Sequence, residues 1–464
     1  MSFPIKRLLY ERSPRIVKRA IGAVPFALLA GSSYRSVLRR GPAIDCLSAL
    51  EVRALQERLL GPLLRHAVRQ VPAYHAQRGI VDRLPPLEAL KDFPPIDKDE
   101  VQRRRDEFVA RDLASIAHYK TSTGGTTGNQ LTVLLPDNSQ AVETAFMHRQ
   151  WARVGYHPSH RKATFRGVPF PHLPPGVYWQ ENPVYNELQF SPFHMNSGTL
   201  GAYLRQLQLW RPLFLHGYPS AVTLLADHVN RQGLEKPLPG LRAVFLGSEG
   251  CTPRQRSSIE QAFGCRVYTW YGHSERLVLA GECEDSEVYH CIPDYGLAEL
   301  LDPTSGRPCG EGQRGEIVGT TFHNRAMPLI RYQTGDSAVL EPSRCACGRN
   351  WMRFSAVEGR WRQEVVVGKN GSRISVSALN MHGPVFDRVF RYQYHQDQPG
   401  VCLLKVVPGE GFRIEDARAI EVAYRSKVGD ELDLRVVVVN DIPLTGRGKL
   451  RMLVTTLPDS APTP

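Results

Sequence analysis

The sequence lacks the features that would place it quickly. No stretch approaches the roughly 18 to 20 apolar residues needed to cross a bilayer. The longest apolar run, Ala20 to Gly31, is about twelve residues and is broken by Pro25. Its basic lead is long and no clear cleavage site follows, which reads against a secretory signal. The nine cysteines are odd in number and scattered over 464 residues, so they do not read as a disulfide framework, and the cytosol is the expected compartment. There is no G-x-x-x-x-G-K-[ST] phosphate loop, no serine attachment motif of a built-in carrier domain, and no internal repeat. Acids are scarce only at the start. Residues 1–40 hold nine Lys or Arg and one acid, Glu11, so this arm carries +8 of the net charge of +12. The nearly balanced remainder reads against nucleic acid as a partner. With 42% apolar and 22% charged residues, widespread disorder is excluded as well.

What is present has the texture of an α/β enzyme. At roughly 150 residues per domain, the length fits one large body plus an appendage. Residues 1–110 read as a basic, helical segment. Glu51 to Gln70 repeats apolar residues at helical spacing and stops at Val71-Pro72, and Asp99 to Val109 reads as a charged helix. From Tyr119 the pattern changes. A loop rich in hydroxyls and glycine, Thr121 to Gly128, precedes a strand at Leu131 to Leu135. Farther on, Leu241 to Leu246 and Arg266 to Trp270 read as strands around a helix with Thr252 as cap, Pro253 at its first position and Gly264 after it. Strand, helix, strand over this distance is a parallel crossover, and ligands bind at the carboxyl ends of such strands. Glu299 to Leu340 reads as β-rich. A boundary near residue 360 separates the core, 111–360, from a smaller α+β part, 361–464.

Four loops carry candidate chemistry. In T-S-T-G-G-T-T-G, glycines let backbone N–H groups approach a polyphosphate and the hydroxyls add donors, although a flexible polar turn has the same composition. Y-G-H-S-E, Tyr271 to Glu275, follows a strand. Its acid suits Mg²⁺ and its Ser274 equally suits a helix cap. R-Y-Q-T-G-D, Arg331 to Asp336, offers an aspartate for ribose hydroxyls, or is a plain hairpin turn. T-G-R-G-K-L-R, Thr445 to Arg451, places Lys449 on a glycine-rich turn, as a mobile cation for a developing phosphate charge or as an exposed basic loop.

The order of these loops, together with P-P-I-D-K at Pro94 to Lys98, H-G-Y-P-S at His216 to Ser220 and C-A-C-G-R at Cys345 to Arg349, resembles the acyl-adenylate-forming superfamily. It is most similar to the phenylacetate-CoA ligase-like, CapK-like branch, over nearly the whole chain. The resemblance implies a large domain that binds ATP and a carboxylic acid, and a small mobile domain that turns about a hinge near Arg362. Thr123, Gly124, Gly125, Thr126, Thr127 and Gly128 would wrap the β- and γ-phosphates. Gly247, Ser248 and Glu249 would line the adenine pocket, with Tyr271 stacking on the base beside Gly272. Glu275 would hold Mg²⁺, Asp336 and Arg360 would bind the ribose, and Lys449 would contact the carboxylate and α-phosphate. The implied reaction is attack of the carboxylate on the α-phosphorus with loss of pyrophosphate, then acyl transfer, with coenzyme A as the expected acceptor. An amine or hydroxyl of a glycan or natural-product precursor is the alternative. A weakly catalytic nucleotide-binding scaffold at the membrane is the reading from another class.

The sequence departs from the family pattern in three places. The phosphate loop continues Gly128-Asn129-Gln130 where Lys and Pro are usual, Arg362 or Gln363 stands where the hinge has an acid, and His273 is less common in its loop. Cys283, His290, Cys345 and Cys347 form a candidate site for structural Zn²⁺, with Cys291 and Cys309 as rival ligands. Phe146, Phe165, Tyr218, His273 and Phe190 to Asn196 are candidate lining of an acyl pocket suited to an aryl or short, partly apolar acid, although each aromatic equally suits the core. The basic arm beside its apolar run is expected to dock on an anionic partner or, peripherally, on the inner face of an anionic membrane.

Overall fold

The helix expected over 51–70 forms over Ala49–Gln70, opened by a reciprocal capping box between Ser48 and Glu51. It buries Val52, Leu55, Leu60, Leu63, Leu64 and Val68, the stripe that its 3.6-residue spacing places on one face. The charged helix expected over 99–109 is instead split. Asp97 caps a short helix, Lys98–Arg103, and Arg104 leaves the helical region (φ −113°, ψ 30°) before a 3-10 turn, Arg105–Phe108. The break swings Phe108 into the core, where it packs edge-on against Tyr74.

The structure, a computed structural model, describes residues 9–122, 131–168, 170, 174–359, 364–381, 384–443 and 452–457. Strands β1 (His118–Ser122) and β2 (Thr132–Pro136) pair antiparallel and flank the hydroxyl-rich loop. The next twelve strands are β3 (Lys162–Phe165), β4 (Trp179–Asn182), β5 (Glu187–Phe190), β6 (Phe214–Gly217), β7 (Ala243–Leu246), β8 (Val267–Gly272), β9 (Leu279–Glu282), β10 (Tyr289–Cys291), β11 (Gly296–Leu301), β12 (Arg314–Thr321), β13 (Tyr332–Glu341) and β14 (Arg353–Glu358). They form one 12-stranded sheet in the order β11-β12-β13-β14-β10-β9-β8-β7-β6-β3-β5-β4. From β8 through β5 neighbours run parallel. Their all-apolar members are buried on both faces, as in β7, where Ala243 to Leu246 are all buried. The crossover helix Pro253–Phe263 has Thr252 in a capping box with Gln255 and ends on Gly264 at φ 64°.

Toward the C-terminus, β15 (Val365–Val367) and β16 (Arg373–Ser375) form a ribbon. Strands β17 (Val389–Gln398), β18 (Val401–Pro408), β19 (Asp433–Val438) and β20 (Leu453–Thr455) form a sheet in the order β19-β18-β17-β20. The helix Ile414–Val428 packs on it through Ile420 and Tyr424. The whole is an α/β body with a smaller α+β part. One apolar cluster is continuous from Phe165, Phe190, Leu215 and Leu246 into Leu379, Tyr392 and Tyr424, so the C-terminal part rests on the parallel half of the sheet.

The basic arm is folded onto this body. Helices Arg15–Gly22, Phe26–Leu29 and Gly31–Asp45 follow one another. Arg19 pairs with Glu181 at 3.0 Å, and the Tyr10 hydroxyl donates to Asn182 Oδ1 at 2.8 Å. The third helix belongs to the core, with Tyr34 fully buried and its hydroxyl 2.7 Å from His148 Nδ1.

Candidate functional site

The parallel strands bring their carboxyl ends to one edge, so the residues that follow β3, β6, β7 and β8 converge there. Those residues are Arg166, Tyr218, Gly247 and His273. Gly247 is required by its neighbour, because a Cβ at that position would lie 2.3 Å from Cε2 of Trp270. The chain then turns through Ser248, a non-glycine residue held at φ 68°, in the left-handed region that costs a serine energy and that clusters at functional loops. Glu249 follows, with Oε2 accepting from the Ser220 amide at 3.1 Å.

At the end of β8, Tyr271 is buried and donates its hydroxyl to Asp336 Oδ2 at 3.0 Å. The Asp336 amide in turn donates to Thr334 Oγ1 at 3.2 Å. Burial, then the Asp336 charge, pushes the Tyr271 phenol well above its ordinary range, so it stays a donor. Two of the predicted nucleotide residues are thus in direct contact although 65 positions apart. Gly272 packs between Trp270 and Leu279.

Glu275 is buried beyond β8. His273 Nε2 accepts from the Val278 amide at 3.3 Å, which leaves Nδ1 to carry the proton and donate to Glu275 Oε2 at 3.3 Å. The Tyr332 hydroxyl donates to Glu275 Oε1 at 3.3 Å. Burial alone raises such a carboxyl. The His273 ring, a backbone amide and the Lys98 ammonium outweigh it and hold Glu275 at about 2. Lys98 comes from the P-P-I-D-K segment, whose Ile96 bridges to Tyr332 of β13. The sequence marks that segment only as a family signature, and its charge next to Glu275 emerges only in three dimensions. Arg331, first residue of R-Y-Q-T-G-D, is a strut. It pairs with Glu299 through two contacts of 3.1 Å and donates to the Phe93 carbonyl at 3.0 Å.

The predicted residues Thr123, Gly124, Gly125, Thr126, Thr127, Gly128, Arg360 and Lys449 lie outside the described residues. Phe165 stacks on Phe190 with centroids 4.9 Å apart and is fully buried, as Phe146 is against Tyr295. Tyr218 lies under the Arg166 guanidinium.

Residues 54–321 match the family described as AMP-binding enzyme, and residues 366–456 match the CapK C-terminal domain. The chain belongs to the AMP-binding enzyme family. It is 27% identical over 342 residues to a phenylacetate-coenzyme A ligase of Thermus thermophilus, covering 70% of this chain and 74% of that one. It is 22% identical over 383 residues to Protein CapK of Staphylococcus aureus, covering 79% and 80%. A solved structure of 2-hydroxyisobutyryl-CoA ligase, in complex with 2-HIB-AMP and CoA, superposes with a TM-score of 0.57 at 18% identity, covering 89% of this chain and 91% of that one. That likeness shows the fold.

This AMP-binding enzyme carries a second cluster on the antiparallel half of its sheet. One potential ligand atom from each of Cys283, His290, Cys345 and Cys347 lies within 4.8 Å of the other three. Cys283 and Cys345 sulfurs are 3.6 Å apart, and Cys347 Sγ is 3.6 Å from His290 Nε2. Burial, then the charges of Arg153, Arg353 and Arg349, pushes His290 down to about 3, so its imidazole is neutral, the form that ligates a cation. Cys291 and Cys309 stand outside this group. Beside it, Arg149, Arg153 and Arg349 all lie over the Trp351 ring, at 5.5, 4.9 and 5.8 Å from its centroid. Asp45 answers all three guanidiniums at 3.0, 4.0 and 3.3 Å, Asp294 pairs with Arg149 at 2.9 Å, and Glu284 pairs with Arg349 at 2.8 Å.

Proposed function

We propose that this chain uses ATP to activate a small carboxylic acid as an acyl-adenylate, releasing pyrophosphate, and then transfers the acyl group to coenzyme A. The carrying observation is Glu275, a buried carboxylate held ionised at the carboxyl end of a parallel strand, with the Tyr271–Asp336 pair alongside. Membership of the AMP-binding enzyme family and the likeness to phenylacetate-coenzyme A ligases support the reading.

The residues divide the work by position. Asp336, one oxygen held by Tyr271, is proposed to bind the ribose hydroxyls. The turn Gly247-Ser248-Glu249 is proposed to line the adenine pocket. Glu275 is a hard oxygen donor, already ionised and oriented by His273 and Tyr332, and so fits Mg²⁺. The cation, when bound, would neutralise phosphate charge. Lys449 and the loop Thr123 to Gly128 are proposed to complete the phosphate contacts, and Arg360 the ribose contact. Pyrophosphate release across a panel of acids, followed by mass spectrometry of the product with and without coenzyme A, tests the function. Lys449→Ala should abolish adenylation in a folded protein. Absence of acid-dependent release in the wild type, with ATP still bound, would favour the scaffold reading. The similarity to Protein CapK keeps an amine or hydroxyl acceptor as the second reading, seen as acyl transfer without coenzyme A.

Three thiols and one neutral imidazole within tetrahedral reach fit Zn²⁺ in a folding role. We also assign membrane docking to the arm. Ile16 is 83% and Leu28 60% exposed, next to Arg12, Arg15 and Lys18, the pairing that an anionic lipid surface recognises. No described helix is long and apolar enough to cross a membrane.

A further inference from the structure

Three side chains at the carboxyl edge of β3, β6 and β7 are left incomplete by the fold. Register places Phe165 beside Gly217 and Gly217 beside Leu246, so Arg166 and the Tyr218 and Gly247 segments leave the sheet next to one another. The Arg166 guanidinium lies 4.8 Å from the Tyr218 ring centroid, and its Nη1 is buried with no hydrogen-bond partner among the described residues. Glu249 uses Oε2 on the Ser220 amide, while its buried Oε1 has no donor within hydrogen-bond distance among the described residues, although the Ser375 side chain is near enough to lower the carboxyl. His216, inside β6 and edge-on to Trp151 at 4.9 Å, has a buried Nε2 with no partner among the described residues. Arg166 acts electrostatically on both Glu249 and His216, so the three share one neighbourhood. The C-terminal part closes over it. A Cβ at Gly167 would lie 2.5 Å from the Ala378 carbonyl oxygen, and Ser375 adjoins Glu249.

An unpaired buried polar group is costly, and native interiors rarely leave one unanswered. Three in one place mark a position that a ligand's own polar atoms complete. A plain hydrocarbon acyl group would bury all three and satisfy none. Arg166 follows β3, two strands away from β7, whose following turn is the one assigned to the adenine.

We propose that Arg166, braced on Tyr218 and flanked by His216 and Glu249, reads a second oxygen on the acid. The substrate class is then an oxygenated carboxylic acid, carrying a hydroxyl, oxo or further carboxylate group, which narrows the aryl or short, partly apolar acid that the aromatic content alone suggests. This rests on the adenylating role of the same edge. A site built to hydrogen-bond a substrate group rejects the analogue that lacks it far more strongly than an apolar pocket rejects an extra methylene.

The test is acid-dependent pyrophosphate release with matched pairs: mandelate and phenylacetate, lactate and propionate, pyruvate and propionate, succinate and butyrate. The wild type should favour the oxygenated member of at least one pair by about tenfold or more in kcat/KM. Arg166→Met should bring that ratio toward one, through loss on the oxygenated member, and Arg166→Lys should keep part of it. Equal or better use of the hydrocarbon member in every pair overturns the inference, and so does an unchanged ratio in Arg166→Met. In either case the ligase reading stands. Should Arg166→Met fail to fold, the wild-type ratios and Arg166→Lys decide. Release from none of these acids nor from a wider panel, with ATP still bound, strikes the adenylation reading itself and this inference with it.

Discussion

Replacing Glu275 by Gln removes one charge while keeping the shape of the side chain. The surroundings hold this carboxyl at about 2 against an ordinary 4.5. That gap corresponds to about 3 kcal/mol favouring the ionised form in the folded protein. Because the folded value is the lower one, the contribution is fully present above the unfolded value of about 4.5, and it is lost as pH falls from there toward about 2. The wild-type advantage over Glu275→Gln should therefore be greatest near pH 6, at up to about 3 kcal/mol, and smaller by about 1 kcal/mol at pH 3.5. Urea unfolding of both proteins at the two pH values measures it. In the same preparations, Mg²⁺-dependent pyrophosphate release should fall by about 10²-fold or more in the variant, the scale on which a charge-stabilising group at a reacting phosphate acts. A stability gap that does not narrow with acid, together with unchanged release, would refute the assignment of Glu275 as the buried cation ligand.

Further outcomes follow from other parts of the molecule. Cys345→Ser, or a chelator added to the wild type, should release zinc measured by elemental analysis and lower the thermal transition by about 5 °C or more; wild-type protein purified without zinc, and unaffected by the substitution, would contradict the site. Gly247→Ala should cost about 1–3 kcal/mol in urea unfolding, because the new Cβ meets the Trp270 ring at 2.3 Å. Ile16→Glu combined with Leu28→Glu should reduce cosedimentation with phosphatidylglycerol vesicles while leaving pyrophosphate release intact, and undiminished binding would remove the docking role. Point changes suit this test better than removal of residues 1–40, because Tyr34 and Val37 are core residues.

Local signals in the sequence translated well where one residue type has one physical use. Thr252, Pro253 and Gly264 bound their helix at the expected places, and the strands expected over 241–246 and 266–270 form at Ala243–Leu246 and Val267–Gly272. The parallel crossover followed from them. Lys98–Phe108 misled, because charge pattern alone does not show that Arg104 breaks the helix to bury Phe108. Cys283 and His290 lie far in sequence from Cys345 and Cys347, and only antiparallel pairing of β9, β10 and β14 makes them neighbours. Arg166 carries no motif. Its placement beside Tyr218, His216 and Glu249 is a property of three strand ends meeting, and no window of sequence contains it. Phe165 illustrates the opposite error: an aromatic next to a site is also a good core residue, and the Phe190 stack is where this one goes.

The single carboxylate of Asp45 sets a practical limit on how short this protein can be made. The AMP-binding family match begins at residue 54, which invites cutting the chain there. Such a fragment would keep Arg149, Arg153 and Arg349 stacked around Trp351 but, among the described residues, would have only Asp294 and Glu284 left to answer them. One guanidinium would be stranded in the interior beside the cysteine cluster, a penalty of several kcal/mol for a buried, unanswered charge. A fragment beginning at Gly31 retains the balance, since the helix Gly31–Asp45 carries both the carboxylate and the Tyr34 anchor.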